Sequence, residues 1–119
     1  MTQKSHLEEG LLRQIRSLGL PEPERQYRFK GLTDDRLWKF DFAWLEPYKL
    51  AVEVQGGVWG KGGKRGAHVR GRGIHNDAEK YNEAVLCGWR VLLFPTNMIN
   101  NGQALGYLEM ILKGGAIVA

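Results

Sequence analysis

The chain of 119 residues contains a single cysteine, Cys87. One cysteine excludes an internal disulfide and any zinc site that is built on two or more thiolates. The sequence also lacks an apolar run long enough to span a bilayer, and its first residues lack the apolar core of a secretory signal. We therefore expect a protein that stays in the cytoplasm and has no membrane partner.

Acidic residues are missing from residues 54–76, and the loop 56–73 within that stretch contains eight of the 16 glycines. So much glycine disfavours helix and strand. The loop is also rich in cations, which are Lys61, Lys64, Arg65, Arg70 and Arg72, with His68 among them. Such a loop either contacts nucleic-acid phosphates or is simply solvated, and the composition alone leaves both readings open. The net charge of +4 makes a polyanionic partner plausible.

The remaining composition, 43% hydrophobic and 25% charged, is typical of one globular domain, which we place at residues 1–119. Apolar periodicity and turn residues predict helices at 3–18, 77–87 and 97–112 and strands at 25–32, 36–44, 49–55 and 89–94. The order α-β-β-β-α-β-α predicts an α/β or α+β domain with a mixed sheet. The continuously apolar last strand is expected to be central.

The predicted strands 36–44 and 49–55 are joined by a short turn, so they should pair antiparallel. If the hairpin is symmetric about Pro47, Asp41 lies directly opposite Glu53, with about 5 Å between their Cβ atoms. Strict alternation along the first strand would put its aromatic side chains together in the core. We expect both carboxylates on the other face; the aromatic residues are Trp38, Phe40, Phe42 and Trp44.

Two opposed carboxylates need a positive partner. A divalent cation such as Mg²⁺ is one candidate, and ion pairs with Lys39 or with a loop arginine are the alternative. Glu8 lies on the apolar arc of the first helix, where it either meets a cation or metal or bends outward to water. Lys80, at the edge of the apolar face of helix 77–87, either reaches the two carboxylates or pairs within its own helix with Asp77 or Glu83.

Four segments together carry a family resemblance: WKFDFAW at 38–44, VEVQGG at 52–57, DAEKYN at 77–82 and GWRV at 88–91. They resemble the PD-(D/E)XK nuclease superfamily, with Gln55 in place of the motif lysine, a variant that several restriction endonucleases carry. Within that superfamily the segments are most similar to small phage and prophage endonucleases, which resemble very-short-patch-repair-like and Holliday-junction-resolvase-like members. The resemblance spans about residues 8–94. It implies a restriction-endonuclease-like αβββαβ core with an extra C-terminal helix.

The resemblance implies a metal-dependent DNA endonuclease in a bacterial or phage-infected cell, with Mg²⁺ or Mn²⁺ as the cofactor. Asp41 and Glu53 match the metal-binding acids, the carbonyl of Val54 completes the metal shell, and Glu8 matches the first-helix glutamate of resolvase-like members. Gln55 takes the lysine position and would orient the attacking water. Lys80 falls where some families place a migrated catalytic lysine.

The DNA backbone would lie on the glycine-rich loop, with contacts from Lys61, Lys64, Arg65, His68, Arg70 and Arg72. An enzyme of this size that cuts both strands of a duplex would be expected to act as a homodimer. Nicking of one strand and resolution of a branched junction are other possible activities. Two alternatives stay open. One is a non-catalytic DNA-binding or recruitment module on the same fold, because the motif lysine is missing. The other is an HNH-type nuclease that uses His68, His75 and Asn76, although the expected ββα spacing is lacking.

Overall fold

The computed structural model describes residues 2–33, 35–55 and 77–113. Every predicted element is present, and most of the ends differ from prediction by one or two residues. The elements are α1 (Gln3–Ser17), β1 (Glu24–Lys30), β2 (Leu37–Trp44), β3 (Leu50–Gln55), α2 (77–86), β4 (Arg90–Pro95), α3 (Thr96–Asn100) and α4 (Gln103–Leu112). Among the residues that the model describes, no helix is both long and apolar enough to cross a membrane.

The four strands form one sheet in the order β1-β2-β3-β4. The β1–β2 and β2–β3 pairs are antiparallel, and β3–β4 is parallel, which confirms the predicted mixed sheet in an α+β arrangement. The prediction of a central β4 is wrong: within the described sheet β4 lies at an edge. Its apolar run suggested a strand covered on both faces, yet Leu93 is 40% exposed and only Phe94 is fully buried.

Helices cover both faces of the sheet. On one face α1, α3 and α4 bury a core against β2, β3 and β4, with Leu11, Phe42, Leu50 and Leu108 at 0% exposure. On the other face a smaller aromatic cluster of Phe29, Phe40 and Trp89 packs with α2. Because residues of β3 alternate between these cores, Val52 and Val54 face α1 while Ala51 faces α2.

The hairpin between β2 and β3 has the predicted register. Trp44 pairs with Leu50, Ala43 with Ala51 and Phe42 with Val52, so residues equally far from Pro47 lie opposite each other. The ladder ends at the Phe42–Val52 pair. Asp41 and Glu53 are therefore the next residues beyond the last backbone pair, at the open end of the hairpin.

The prediction that all the β2 aromatic side chains share one face is wrong. Phe42 and Trp44 pack in the α1 core, whereas Trp38 and Phe40 pack in the α2 cluster. The alternation is interrupted at Asp41, which lies where β1 has Gln26, a residue with φ of +51° that is left out of the β1–β2 ladder. A left-handed residue turns the side chains that follow it in its own strand, here β1, to the other face, and β2 changes face directly opposite it.

The predicted C-terminal helix is two helices. Gly102 adopts φ of +87° between α3 and α4, and no helix continues through that conformation without a break. Asn101 Oδ1 accepts a hydrogen bond from the backbone N–H of Gln103, which satisfies one free donor at the start of α4. The Asn-Gly pair explains the weak apolar periodicity of this segment.

Candidate active site

Asp41 is held at the open end of the β2–β3 hairpin by two contacts. Its Oδ2 accepts a hydrogen bond from the backbone N–H of Val54 at 2.7 Å, and its Oδ1 lies 3.1 Å from Nζ of Lys4 in α1. The Asp41 side chain is only 4% exposed. A buried carboxylate with a backbone donor and a cationic partner keeps a fixed orientation. The sequence did not predict the contact with Lys4.

Glu53 faces α2, where Lys80 meets it. Lys80 Nζ lies 2.6 Å from Glu53 Oε1, and the two side chains are 14% and 12% exposed. The same ammonium group lies 5.0 Å from the centre of the Phe40 ring. The structure therefore places Lys80 against a sheet carboxylate, as one of the two readings of the sequence required. The aromatic cluster lies on this same face, not on the opposite one as predicted.

Glu8 is buried at 6% exposure on the side of α1 that faces the sheet. Its Oε1 accepts a hydrogen bond from Nε2 of Gln26 at 3.0 Å and lies 3.6 Å from a guanidinium nitrogen of Arg25. Burial, and then the negative charge of Asp41, raise the pKa of Glu8. Glu8 thus meets a cation inside the fold instead of bending out to water. The positive φ of Gln26 occurs at the residue whose side chain holds Glu8.

Electrostatic coupling ties these groups into one site. Burial raises the pKa of Glu53, and the nearby Asp41 carboxylate adds to the rise, so together they outweigh the opposing influence of Lys80. Burial alone would lower the pKa of Lys4. The attraction of Asp41, helped by Glu53 and Glu8, outweighs burial and raises that pKa. Three carboxylates and their cations therefore share one poorly solvated region at the end of β2 and β3.

Gln55 lies beyond Glu53 at the end of β3 and is half-buried. Its side chain lies near the hydroxyl of Tyr81 in α2. Burial raises the pKa of the Tyr81 hydroxyl, and the charge of Glu53 adds to the rise, so the hydroxyl stays protonated at neutral pH. Tyr81 is therefore a neighbour of the side-chain amide at the position where the PD-(D/E)XK motif has lysine.

The side chains that could hold Mg²⁺ or Mn²⁺ are the carboxylates of Asp41 and Glu53, with the Val54 backbone beside Asp41, because these ions prefer oxygen donors. No group of three or more His, Cys, Asp or Glu side chains lies close enough to hold one ion within the described ranges. Protein ligands to Mg²⁺ are usually one or two carboxylates, with water and substrate oxygens completing the shell. Two carboxylates are therefore enough in number for such an ion.

The structure brings together Asp41, Glu53, Val54, Glu8 and Lys80 and places Gln55 at their margin. Sequence reasoning missed Lys4, Arg25, Gln26 and Tyr81. A signal existed for one of them, because Lys4 precedes Glu8 by one helical turn and so shares its side of α1. The predicted DNA contacts of the glycine-rich loop lie outside the described residues, as do His75 and Asn76; those contacts are Lys61, Lys64, Arg65, His68, Arg70 and Arg72.

Compared with protein-family models, curated protein sequences and solved structures, the chain matches none of them.

Proposed function

We propose that the chain is a metal-dependent endodeoxyribonuclease with a restriction-endonuclease-like core. One observation carries the proposal: Asp41 and Glu53 lie buried at the open end of one hairpin, and each is held against a lysine from a different helix. Burying two interacting carboxylates lowers the stability of the fold. Clusters of this kind are characteristic of functional sites. The order of helices and strands and the net positive charge agree with the proposal.

In this proposal Asp41 and Glu53 bind the divalent ion, and the Val54 carbonyl and Glu8 stand beside them as further oxygen donors. A bound Mg²⁺ would lower the pKa of a coordinated water and stabilise charge on the phosphate. The N–H of Val54 fixes one Asp41 oxygen, which leaves the other free to exchange Lys4 for a different cation. Gln55, which lies near Tyr81, orients the attacking water by hydrogen bonding.

Lys80 supplies the cation that position 55 lacks. The ammonium group is already on the site, enclosed between Glu53 and the Phe40 ring, and is 14% exposed. A cation in a poorly solvated pocket stabilises developing negative charge more strongly than one in water. Lys80 therefore serves to balance the charge that builds on the phosphate oxygens as the phosphodiester bond breaks.

One observation favours a second candidate, a non-catalytic DNA-binding module on the same fold. Position 55 is Gln, which cannot donate a proton or carry a charge. Such a module would bind DNA equally well with and without a divalent ion and would never nick it.

The two candidates are separated by cleavage of three substrates side by side: a supercoiled plasmid, a linear duplex and a four-way junction, each with Mg²⁺, Mn²⁺ or EDTA. The nuclease proposal predicts cleavage with either metal and none in EDTA. Binding without nicking under every condition would overturn it in favour of the module. Symmetric cuts in both strands would indicate that two copies act together.

A further inference from the structure

The outer half of the β1–β2 hairpin carries a patch of positive charge on one face. Arg28 pairs with Lys39 across the two strands, and Lys30 pairs with Leu37. Directly opposed residues of an antiparallel pair share a face, and so do residues two apart in a strand. These four side chains therefore lie together, and all are exposed. We call Arg28, Lys30 and Lys39 the cationic strip.

The cationic strip does not stabilise the fold by ion pairing. Among the described residues, Arg28 and Lys39 have no carboxylate partner, and Lys30 has only the almost fully exposed Asp35, at 3.2 Å. Like charges that lie directly opposite each other in a sheet are destabilising. A single exposed lysine costs the fold little stability. The opposed pair of Arg28 and Lys39, however, contributes nothing to the stability of the hairpin. An anionic ligand would remove the repulsion.

The opposite face of the same hairpin is firmly packed. Phe29 and Phe40 stack with ring centroids 4.7 Å apart, and Phe40 also contacts Trp89. At the tip of the hairpin, Glu83 of α2 accepts a hydrogen bond from the backbone N–H of Thr33 at 2.8 Å. The strands that carry the strip are therefore held in place by packing on their other face, which lowers the entropy cost of binding a ligand there.

The cationic strip leads directly to the acidic site. Lys39 precedes Asp41 by two residues, a rise of about 7 Å along the strand. Arg28 lies opposite Lys39, and Lys4 already contacts Asp41. A polyanion lying along this half of the hairpin would therefore reach the carboxylates at one end. The carboxylates themselves would repel phosphates unless cations neutralise them.

We propose that the cationic strip binds the sugar-phosphate backbone of the DNA substrate beside the bond that is cut. This inference rests on the proposed function for the identity of the polyanion. It assigns DNA contacts to a rigid hairpin in addition to the glycine-rich loop. Contacts of this kind fix the position of the duplex without reading its sequence.

The test compares two double variants that remove the same charge. Arg28→Ala/Lys39→Ala removes two members of the strip, whereas Arg13→Ala/Lys113→Ala removes an exposed arginine and an exposed lysine elsewhere. Binding of a short fluorescent DNA duplex is measured in EDTA between about 50 and about 200 mM salt. Each lost phosphate contact reduces the slope of log K against log salt by about 0.9. We expect the strip variant to lose about two in slope and to bind roughly tenfold more weakly or worse at the lower salt.

The control variant should keep the wild-type slope. Neither variant should lower the melting temperature, because all four side chains are exposed and the strip variant also removes a like-charge repulsion. Equal weakening of the two variants would overturn the proposal, because net charge alone would then explain binding. An unchanged slope in the strip variant would also overturn it, as would a loss confined to an RNA duplex. If the wild-type protein cuts DNA and the strip variant binds DNA normally, the DNA-binding role of the strip is refuted but the nuclease proposal is not. Strip-dependent binding without cleavage in Mg²⁺ supports the strip and refutes the nuclease.

Discussion

The Asp41 carboxylate accepts the backbone N–H of Val54, 2.7 Å away, at the point where the β2–β3 ladder ends. If the strand pairing continued, a backbone carbonyl of β2 would accept the Val54 N–H. The Asp41 carboxylate takes the place of that carbonyl. The same bond ties Asp41 to the residue next to Glu53, so the two acids are held relative to each other by the backbone of β3. Lys4 and Lys80 hold and neutralise the two carboxylates from different helices.

Removing the cation beside Glu53 should destabilise the metal-free protein. Lys80→Met leaves a buried carboxylate without its partner, which should reduce the free energy of unfolding by about 2 kcal/mol. The double variant Glu53→Gln/Lys80→Met should regain part of that loss because no buried charge remains. Chemical denaturation in EDTA measures both effects. If the loss in the double variant equals or exceeds the sum of the losses measured for Glu53→Gln and Lys80→Met alone, Glu53 is not the partner that matters.

The raised pKa of Glu53 predicts a specific pH dependence. The folded protein binds this proton more tightly than the unfolded chain does, so the contribution of Glu53 to stability is greatest below its ordinary pKa of 4.5 and is lost as pH rises through the raised value. In EDTA, the stability of Glu53→Gln relative to wild type should therefore increase across that interval and then level off. Thermal melts across a pH series would show it.

The exposed pair of Glu22 and Arg16 provides a control, because the pKa of Glu22 is shifted in the opposite direction to that of Glu53. The hydrogen bond from Arg16 lowers the pKa of Glu22, so its contribution is present above pH 4.5 and is lost as pH falls through the lowered value. Relative to wild type, Glu22→Gln should become less stable as pH rises through that lower interval. Parallel behaviour of the two variants would contradict the assigned shifts.

Lys4 should compete with a divalent ion for Asp41. Its ammonium lies 3.1 Å from the carboxylate and is on a side chain that is 45% exposed, so it can leave. We expect Lys4→Met to tighten Mg²⁺ binding about threefold to tenfold, measured by calorimetric titration without DNA. Arg13→Met, on the far side of α1, is the control and should leave the affinity unchanged. Weaker Mg²⁺ binding by Lys4→Met would mean that the lysine supports the site instead of competing.

A lysine at position 55 should substitute for Lys80. Gln55 and Glu53 belong to the same face of β3, so an ammonium group placed at either position 55 or position 80 reaches the same carboxylates. Lys80→Met should lose at least about a hundredfold in cleavage rate, and Gln55→Lys/Lys80→Met should recover much of it. Single-turnover cleavage of a plasmid measures both. Equal inactivity of the two variants would contradict the shared role.

The hairpin was predictable because a short turn at Pro47 and clear alternation in β3 leave few registers. A slip by one residue would have turned Leu50, Val52 and Val54 out of the core. The burial of Glu8 was left open, because its place on the apolar arc of α1 also allowed the side chain to bend outward to water. The sequence alone did not decide whether Lys80 contacts Glu53, because helix geometry also allowed it to pair with Asp77 or Glu83.

The errors have local physical causes. The interruption at Gln26 depends on a positive φ in a residue that usually avoids it, which no alternation pattern reveals. Lys4 is a long side chain near a terminus, and its partner belongs to a strand more than 35 residues away. The edge position of β4 depends on what lies beside it in the sheet, and an apolar run carries no information about that.

Cleavage of a supercoiled plasmid in Mg²⁺ tests the central claim most directly, with wild type compared against Asp41→Asn and Glu53→Gln. Asn keeps an oxygen to accept the Val54 N–H, so the fold is retained while the charge that would hold the ion is removed. We predict that wild type nicks or linearises the plasmid. Each variant should be slower by a factor on the order of 10³ or more, with DNA binding in EDTA unchanged. Cleavage by either variant at the wild-type rate would contradict the assignment of these two acids.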